Sequence, residues 1–504
     1  MTTDQTDPGT LSRVRRVAAW GAATTRRIGG RIRRFTRWEW GLVVLIAVYV
    51  AVLTSMSLRA HHALATSTYD FALYDQGVWL LSRFKAPFVT LMGRNLFGDH
   101  TSFVMFFMVP IYWVFPDAGA LLFVQSLAIA CGAIPIFLYA RRRLESEPVA
   151  LLLAGTYLLH PAVSWTNMEQ FHPDAFFGVF VGFAIYGALT RRWRLYTVFV
   201  VLTLLVKEDA SLIVIALGIW VIWRRSVLIG VLTVLWSFGF AVFATVLLMQ
   251  YLTGHATLNA WRIPFGGAGG LVKAMLTRPG DVLDYLRADG RPWWAWQMTA
   301  PFGWVFLRLP DVAAIGSLVL IANVVSTFLY QHQIQFHYSL VVVPALALGT
   351  VHALGAIKDR RAWFVGGVAV LALWTGFLWS TLPFARDPKA FREANDPFVV
   401  AAKEVLPLVP DGAVVAADSS LTPHLAHRRQ IYMFPNPFSS FLYGVPGRPA
   451  EGTRLPAADD VEYVVLRVPV PEGLLAETWA QVEGDFVLVH QNDHWAVYRR
   501  PELP

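Results

Sequence analysis

Uncharged apolar runs recur along this 504-residue chain and leave few folds open to it. A bilayer core of about 30 Å is crossed by about 20 residues of helix, the backbone pairing with itself on the way. Eleven runs fit that use: Trp40 to Leu58, Ala118 to Ala140, Val149 to Met168, Ala175 to Thr190, Leu195 to Val206, Ala210 to Trp223, Ser226 to Tyr251, Trp293 to Leu307, Val312 to Tyr330, Tyr338 to Ile357 and Ala362 to Pro383. Only 15% of the residues are charged, where a soluble globular protein carries roughly a quarter. The expected fold is therefore an α-helical polytopic membrane protein of about 11 spans. The single cysteine, Cys131, excludes an internal disulfide and a cysteine-based metal cluster.

Charge orients these spans. Residues 1–38 hold nine arginines against Asp4 and Asp7, next to the first span, and read as a basic cytoplasmic tail. The clusters Arg141-Arg142-Arg143, Arg191-Arg192-Trp193-Arg194, Arg224-Arg225, Arg308 and Lys358-Asp359-Arg360-Arg361 all fall on the cytoplasmic side under one condition. The short run Phe103 to Phe115, which contains Pro110, must lie in the outer interface as a juxtamembrane helix. The expectation is a multi-pass plasma-membrane or inner-membrane protein with its N-terminus cytoplasmic and its C-terminus outside. The basic excess is then topological, and no nucleic acid is implied.

A transmembrane domain spans residues 39–383, with long external loops at 59–101 and 252–292. The second loop carries Gly266-Gly267-Ala268-Gly269-Gly270, a flexible stretch. Residues 384–504 hold 11 basic and 16 acidic side chains, a helical run at Pro397 to Leu408 and short β-rich runs. The strand runs are Ala413 to Ala417, Gln430 to Phe434, Val461 to Val468, Phe486 to His490 and Trp495 to Tyr498. They predict a small extracytoplasmic α/β domain, of ordinary domain size.

Polar residues in such a chain are costly and point to function. Lys207-Glu208-Asp209 joins apolar runs of 12 and 14 residues. Twelve helical residues climb about 18 Å, so the triplet sits below the outer surface, lining a cavity or self-paired in a tight hairpin. Asp70 and Asp75 follow the first span; five residues apart, they do not share a helix face, and Asp70 also fits a helix cap. Arg94 and Gly98-Asp99-His100 come next, then Glu169, His172 and Asp174 in one connection and His332 and His337 in another. Each alone reads as an interfacial helix cap. Together they put acids, imidazoles and a lysine on one membrane face, as an outward-facing polar cavity does. No HExxH, GxxxxGK[ST], Rossmann or GxSxG pattern occurs, so no metal and no cofactor is assigned, a divalent cation at the histidines staying open but without a supporting motif, and nucleotide and serine chemistry lack support.

One span, a long loop with an early acid, a juxtamembrane helix and a bundle with an external tail: this organisation resembles the GT-C superfamily of integral-membrane glycosyltransferases, which use polyprenyl-phosphate sugars. The segments Asp70…Asp75-Gln76, Gly98-Asp99-His100, Phe171-His172-Pro173 and Lys207-Glu208-Asp209 are similar to those of an actinobacterial-type family of predicted membrane proteins of unknown function. The resemblance covers roughly residues 40–500. It implies a general base in the first loop; Asp70 matches best, with Asp75 and Glu169 as further catalytic candidates. The acid pair of several GT-C families is Asp70-Phe71 here. For the donor phosphate and substrate it points to Arg94, Asp99, His100, His172, Lys207, Glu208 and His337.

The expected activity is transfer of a sugar from a polyprenyl-phosphate donor to an envelope glycan, glycolipid or protein. A flippase for lipid-linked sugars is the alternative, although transporters usually show repeats and none is visible. A non-catalytic scaffold is the third reading; the polar cluster argues against it.

Overall fold

Thr36 opens the first span. Its hydroxyl accepts from the Glu39 N–H at 3.2 Å, and the Glu39 carboxylate accepts from the Thr36 N–H at 2.9 Å. This reciprocal cap satisfies two amides that a helix start leaves unpaired. The helix runs Arg37–His62. The computed structural model describes residues 35–256, 259–443 and 448–501. The arginine-rich tail expected at the N-terminus lies outside them, apart from its last residues.

Among the described residues, five helices are long and apolar enough to cross a bilayer: Arg37–His62, Ala118–Leu144, Val227–Thr253, His337–Leu354 and Arg361–Trp379. Glu147–Leu158 and Pro161–Met168 form a sixth candidate, bent by 49°. Pro161 opens the second piece, where its missing N–H removes no helix bond. Four shorter apolar helices, Pro173–Leu189, Trp193–Leu204, Ala210–Arg224 and Ala313–Val325, coincide with further runs in the sequence.

The run Trp293 to Leu307 differs from its expected form. It holds a nine-residue helix, Arg291–Thr299, then 3₁₀ turns at Ala300–Phe302 and Val305–Arg308. Pro301 supplies no N–H, and its ring clashes with a continuing helix. Gly303 and Trp304 then both take left-handed backbone, at φ 57° and 54°. Part of the run packs inward, and the buried Trp294 indole donates to Ser339 Oγ at 3.0 Å, while Trp293, Trp296 and Leu307 are exposed.

Phe103–Val114 is a short apolar helix. Twelve residues rise about 18 Å, too little for a crossing of about 30 Å. Val104, Met105, Met108 and Tyr112 face inward, while Phe106, Phe107 and Trp113 are exposed. The Val104 N–H ties the helix to the Leu205 carbonyl at 2.8 Å.

Close packing of the bundle depends on small residues. A Cβ on Gly187 would stand 2.8 Å from the Tyr196 backbone nitrogen, so only glycine lets Pro173–Leu189 and Trp193–Leu204 approach this closely.

In the 59–101 segment, β1 (Phe88–Val89) pairs antiparallel with β2 (Arg94–Asn95). The residues after Phe384 contain β3 (Val415–Ala417), β4 (Ile431–Met433), β5 (Tyr463–Arg467), β6 (Val487–Gln491) and β7 (Trp495–Arg499). They form one sheet in the order β4-β3-β5-β7-β6. The first three are parallel and the last two join antiparallel. Each strand falls on one of the β-rich runs, and Pro397–Val405 forms the expected helix; the helix Leu474–Val482 is an addition.

This sheet region is docked on the 59–101 segment. Thr68 and Thr422 share a hydroxyl hydrogen bond at 2.7 Å. Tyr69 donates to the Phe441 carbonyl at 3.0 Å and Thr90 to the Ile431 carbonyl at 2.6 Å. The docking brings the end of the chain to the polar residues that follow the first span.

Candidate active site

The first span ends at His62, and the chain turns through a single π-helical turn, Thr68–Ala72, before the helix Leu73–Ser82. That turn separates the two aspartates. Asp70 faces a cavity of about 870 Å³, its side chain 48% exposed within it. The surrounding walls withdraw enough water to push its pKa from 3.8 up to about 6. Asp75 points the other way and is 1% exposed. Its Oδ1 accepts from Tyr112 Oη at 2.6 Å and pairs with His427 Nε2 at 2.8 Å. Asp75 therefore clamps the tail region to the first loop and does not line the cavity.

Arg94 is also committed elsewhere. Its guanidinium donates twice to Asp99 Oδ1, at 3.0 and 2.5 Å, and once to the Tyr443 carbonyl at 2.7 Å. It lies 4.5 Å from the Tyr443 ring centre. The result is a rigid wall in which Asp99 and Tyr443, not Arg94, meet the cavity.

His100 lines the cavity, backed by Glu208. Glu208 takes His100 Nδ1 at 2.8 Å and the Thr101 N–H at 3.1 Å. Burial alone pushes the imidazolium pKa down; the Glu208 charge more than offsets it, and the net shift is upward.

Lys207 lies behind the cavity wall. It is 4% exposed, with Nζ 3.8 Å from Asp174 Oδ1 and 3.7 Å from Asp209 Oδ2. The ammonium sits 5.1 Å from the ring centre of Tyr338, and it is Tyr338 that meets the cavity. The triplet is thus deep and paired, as its position between short runs implied, but its charge is compensated.

Glu169, His172 and His337 line the cavity together. His337 offers Nδ1 to Glu169 Oε1 at 3.0 Å, and its backbone N–H donates to the other carboxylate oxygen. The His172 ring stacks on His337 with centres 4.0 Å apart, and its Nε2 lies 3.8 Å from Asp70 Oδ1. Burial, reinforced by the Asp70 charge, pushes the Glu169 carboxyl well above its usual range; burial and His337 push His172 well down. Gln125, a polar residue inside a span, holds this connection by accepting from the His172 N–H at 2.8 Å and donating to the Asn167 carbonyl at 2.9 Å. His332 is buried but stands outside the cavity.

Several cavity residues carried no signal in the sequence. Arg262, from the 252–292 segment, lies 5.2 Å from the Trp261 ring centre and 4.6 Å from that of Phe328. It has no carboxylate partner among the described residues, and its Nε is buried without a hydrogen bond. Arg448 and Tyr443 reach the cavity from the far end of the chain.

A carboxylate, an anchored histidine and an arginine without a carboxylate partner among the described residues, at one aromatic-walled cavity, can take a proton and neutralise an anion. The fold of these helices is ArnT-like. Two solved structures carry that statement, both of ArnT from Cupriavidus metallidurans. The one bound to undecaprenyl phosphate superposes with a TM-score of 0.54 at 12% identity, covering 91% of this chain and 98% of that one. The apo form gives 0.51 at 13% identity, with 91% and 97% covered. Identity this low shows the fold alone. No curated protein matches the sequence. The chain belongs to the family described as "Predicted membrane protein (DUF2079)", which matches residues 60–500.

Proposed function

We propose that this protein is a membrane glycosyltransferase that moves a sugar from a polyprenyl-phosphate donor to an extracytoplasmic envelope acceptor. The observation that carries the reading is the cavity itself: Asp70 and the unpaired Arg262 line the same space. The likeness to an ArnT structure bound to undecaprenyl phosphate supports the donor class. In this reading Asp70 removes the proton of the acceptor hydroxyl as its oxygen attacks the anomeric carbon. The bond from that carbon to the phosphate oxygen breaks, and the polyprenyl phosphate leaves with the electron pair. One displacement inverts the anomeric centre. Arg262 holds the leaving phosphate, with Arg448 and His100 beside it. Asp99, Glu208 and Lys207 keep the walls in place, and the aromatic side chains receive the sugar.

The direct test is transfer by purified protein from a panel of polyprenyl-phosphate sugars. Vectorial movement of lipid-linked sugar with no bond transferred would favour a flippase instead. Arg262→Gln removes the unpaired charge while keeping a polar side chain, and donor binding is expected to weaken about 10- to 100-fold, the loss of one charge-assisted contact of about 1.5–3 kcal/mol. Equal affinity by calorimetry would take Arg262 out of the phosphate site.

The orientation follows from the positive clusters: N-terminus cytoplasmic, tail outside. A reporter fused after Pro504 is expected to be active only outside the membrane, and one inserted at Arg142 only inside. Cytoplasmic activity of the C-terminal fusion would overturn this orientation.

A further inference from the structure

The connection that follows Pro161–Met168 and the start of His337–Leu354 bring three metal-ligating side chains to one point of the cavity wall. Glu169, His172 and His337 each offer one ligand atom, and these atoms lie within 4.8 Å of one another. We propose that these three residues bind a divalent transition-metal cation of the zinc class, with a coordination position left open towards the cavity.

The geometry is close to what such a cation needs. Nitrogen and oxygen ligands sit about 2.0–2.2 Å from zinc, so in a tetrahedron they are roughly 3.4 Å apart. Contraction on the order of 1 Å closes the site, within the reach of side-chain rotation. The donor set, two imidazoles and one carboxylate, is the three-ligand set of open zinc sites and suits zinc better than magnesium or calcium.

The three groups do not satisfy one another without a cation. Glu169 takes His337, but His172 is left stacked on that ring with its Nδ1 buried and unpartnered among the described residues. His172 is 5% exposed, so water does not supply the missing bond readily. Supporting contacts are also present: Gln125 fixes the His172 backbone, and the Glu169 carboxylate is held by the His337 N–H. Partners of this kind orient ligands in metal sites. Asp70, 3.8 Å from His172 Nε2, stands at the open side.

No short motif reveals the site, because two ligands are three residues apart and the third lies in a distant connection. The inference is independent of the transferase reading, since occupancy is measured without any transfer.

The test uses the full chain, free of any polyhistidine tag, in lipid nanodiscs. After stripping with a chelator, the protein is titrated with zinc chloride against a competing chelating dye, and bound metal is counted by mass spectrometry. One equivalent per chain is expected. His172→Ala and His337→Gln are each expected to weaken binding at least tenfold, while His332→Ala, a buried histidine outside the cavity, binds as the parent does. Cobalt substitution of the unaltered chain needs no variant: strong visible bands of a four-coordinate nitrogen–oxygen site are expected. No stoichiometric zinc at micromolar concentration, undiminished affinity in both ligand variants, or a weak six-coordinate cobalt spectrum would each overturn the site.

Discussion

Asp70→Asn is expected to lower sugar transfer by roughly 10²- to 10⁴-fold, the span typical of a general base. The substitution keeps the side-chain shape and removes the proton acceptor. Folding should be nearly unchanged, because the Asp70 carboxylate makes no hydrogen bond among the described residues and meets only His172 at 3.8 Å. Donor binding should persist, since the phosphate contacts lie on other residues. The measurement is turnover with a polyprenyl-phosphate sugar, beside donor affinity and a thermal melt of the same preparation. Asp75→Asn is the informative comparison. It disturbs the bonds from Tyr112 and His427, so its effect should appear first in the melt. Full turnover by Asp70→Asn would move the base to Glu169, the other carboxylate at the cavity that the sequence offered for catalysis.

The second large effect is on folding. Lys207→Met leaves Asp174 and Asp209 facing each other's charge without the ammonium between them. Removing one partner of a buried ion cluster costs on the order of 3–5 kcal/mol. The Asp209 side chain is 44% exposed and is partly relieved by water, so the larger share falls on Asp174, which is 6% exposed. Folded yield by size-exclusion chromatography should drop sharply. Lys207→Arg should recover part of it, because a cation remains. An unchanged melt for Lys207→Met would show that the cluster contributes no stability, and an effect confined to donor affinity would return Lys207 to the phosphate site.

How far the sequence reached is clearest in particular residues. Ten of the eleven apolar runs correspond to helices or to the bent helix pair, but among the described residues only five helices, or six with the bent pair, are long enough to cross a bilayer; hydropathy locates apolar helices without fixing how many of them are spans. The run at Trp293 fails because hydropathy does not register Pro301 or two successive left-handed residues. Asp70, Asp99, His100, Glu169, His172 and His337 meet at one cavity, as their placement in connections on one side implied. Asp75, Arg94, Lys207 and Glu208 do not line it. Each has an opposite charge within reach, at His427, Asp99, Asp174 and His100, and those pairings exist only after folding. Arg262 was invisible for the opposite reason. An arginine in a loop reads as a solvated charge until the structure shows it packed on Trp261 and Phe328 with no carboxylate partner among the described residues.

The docking of the tail on the first loop also sets an order of events during synthesis. Tyr443 and Arg448 leave the ribosome well after the last long apolar helix, Arg361–Trp379, yet they form part of the wall around Asp70. The membrane bundle can be inserted while that wall is still missing. A chain interrupted before residue 443 has its carboxylate and its span helices but an unfinished chamber, whose wall is completed only by about the last eighth of the sequence.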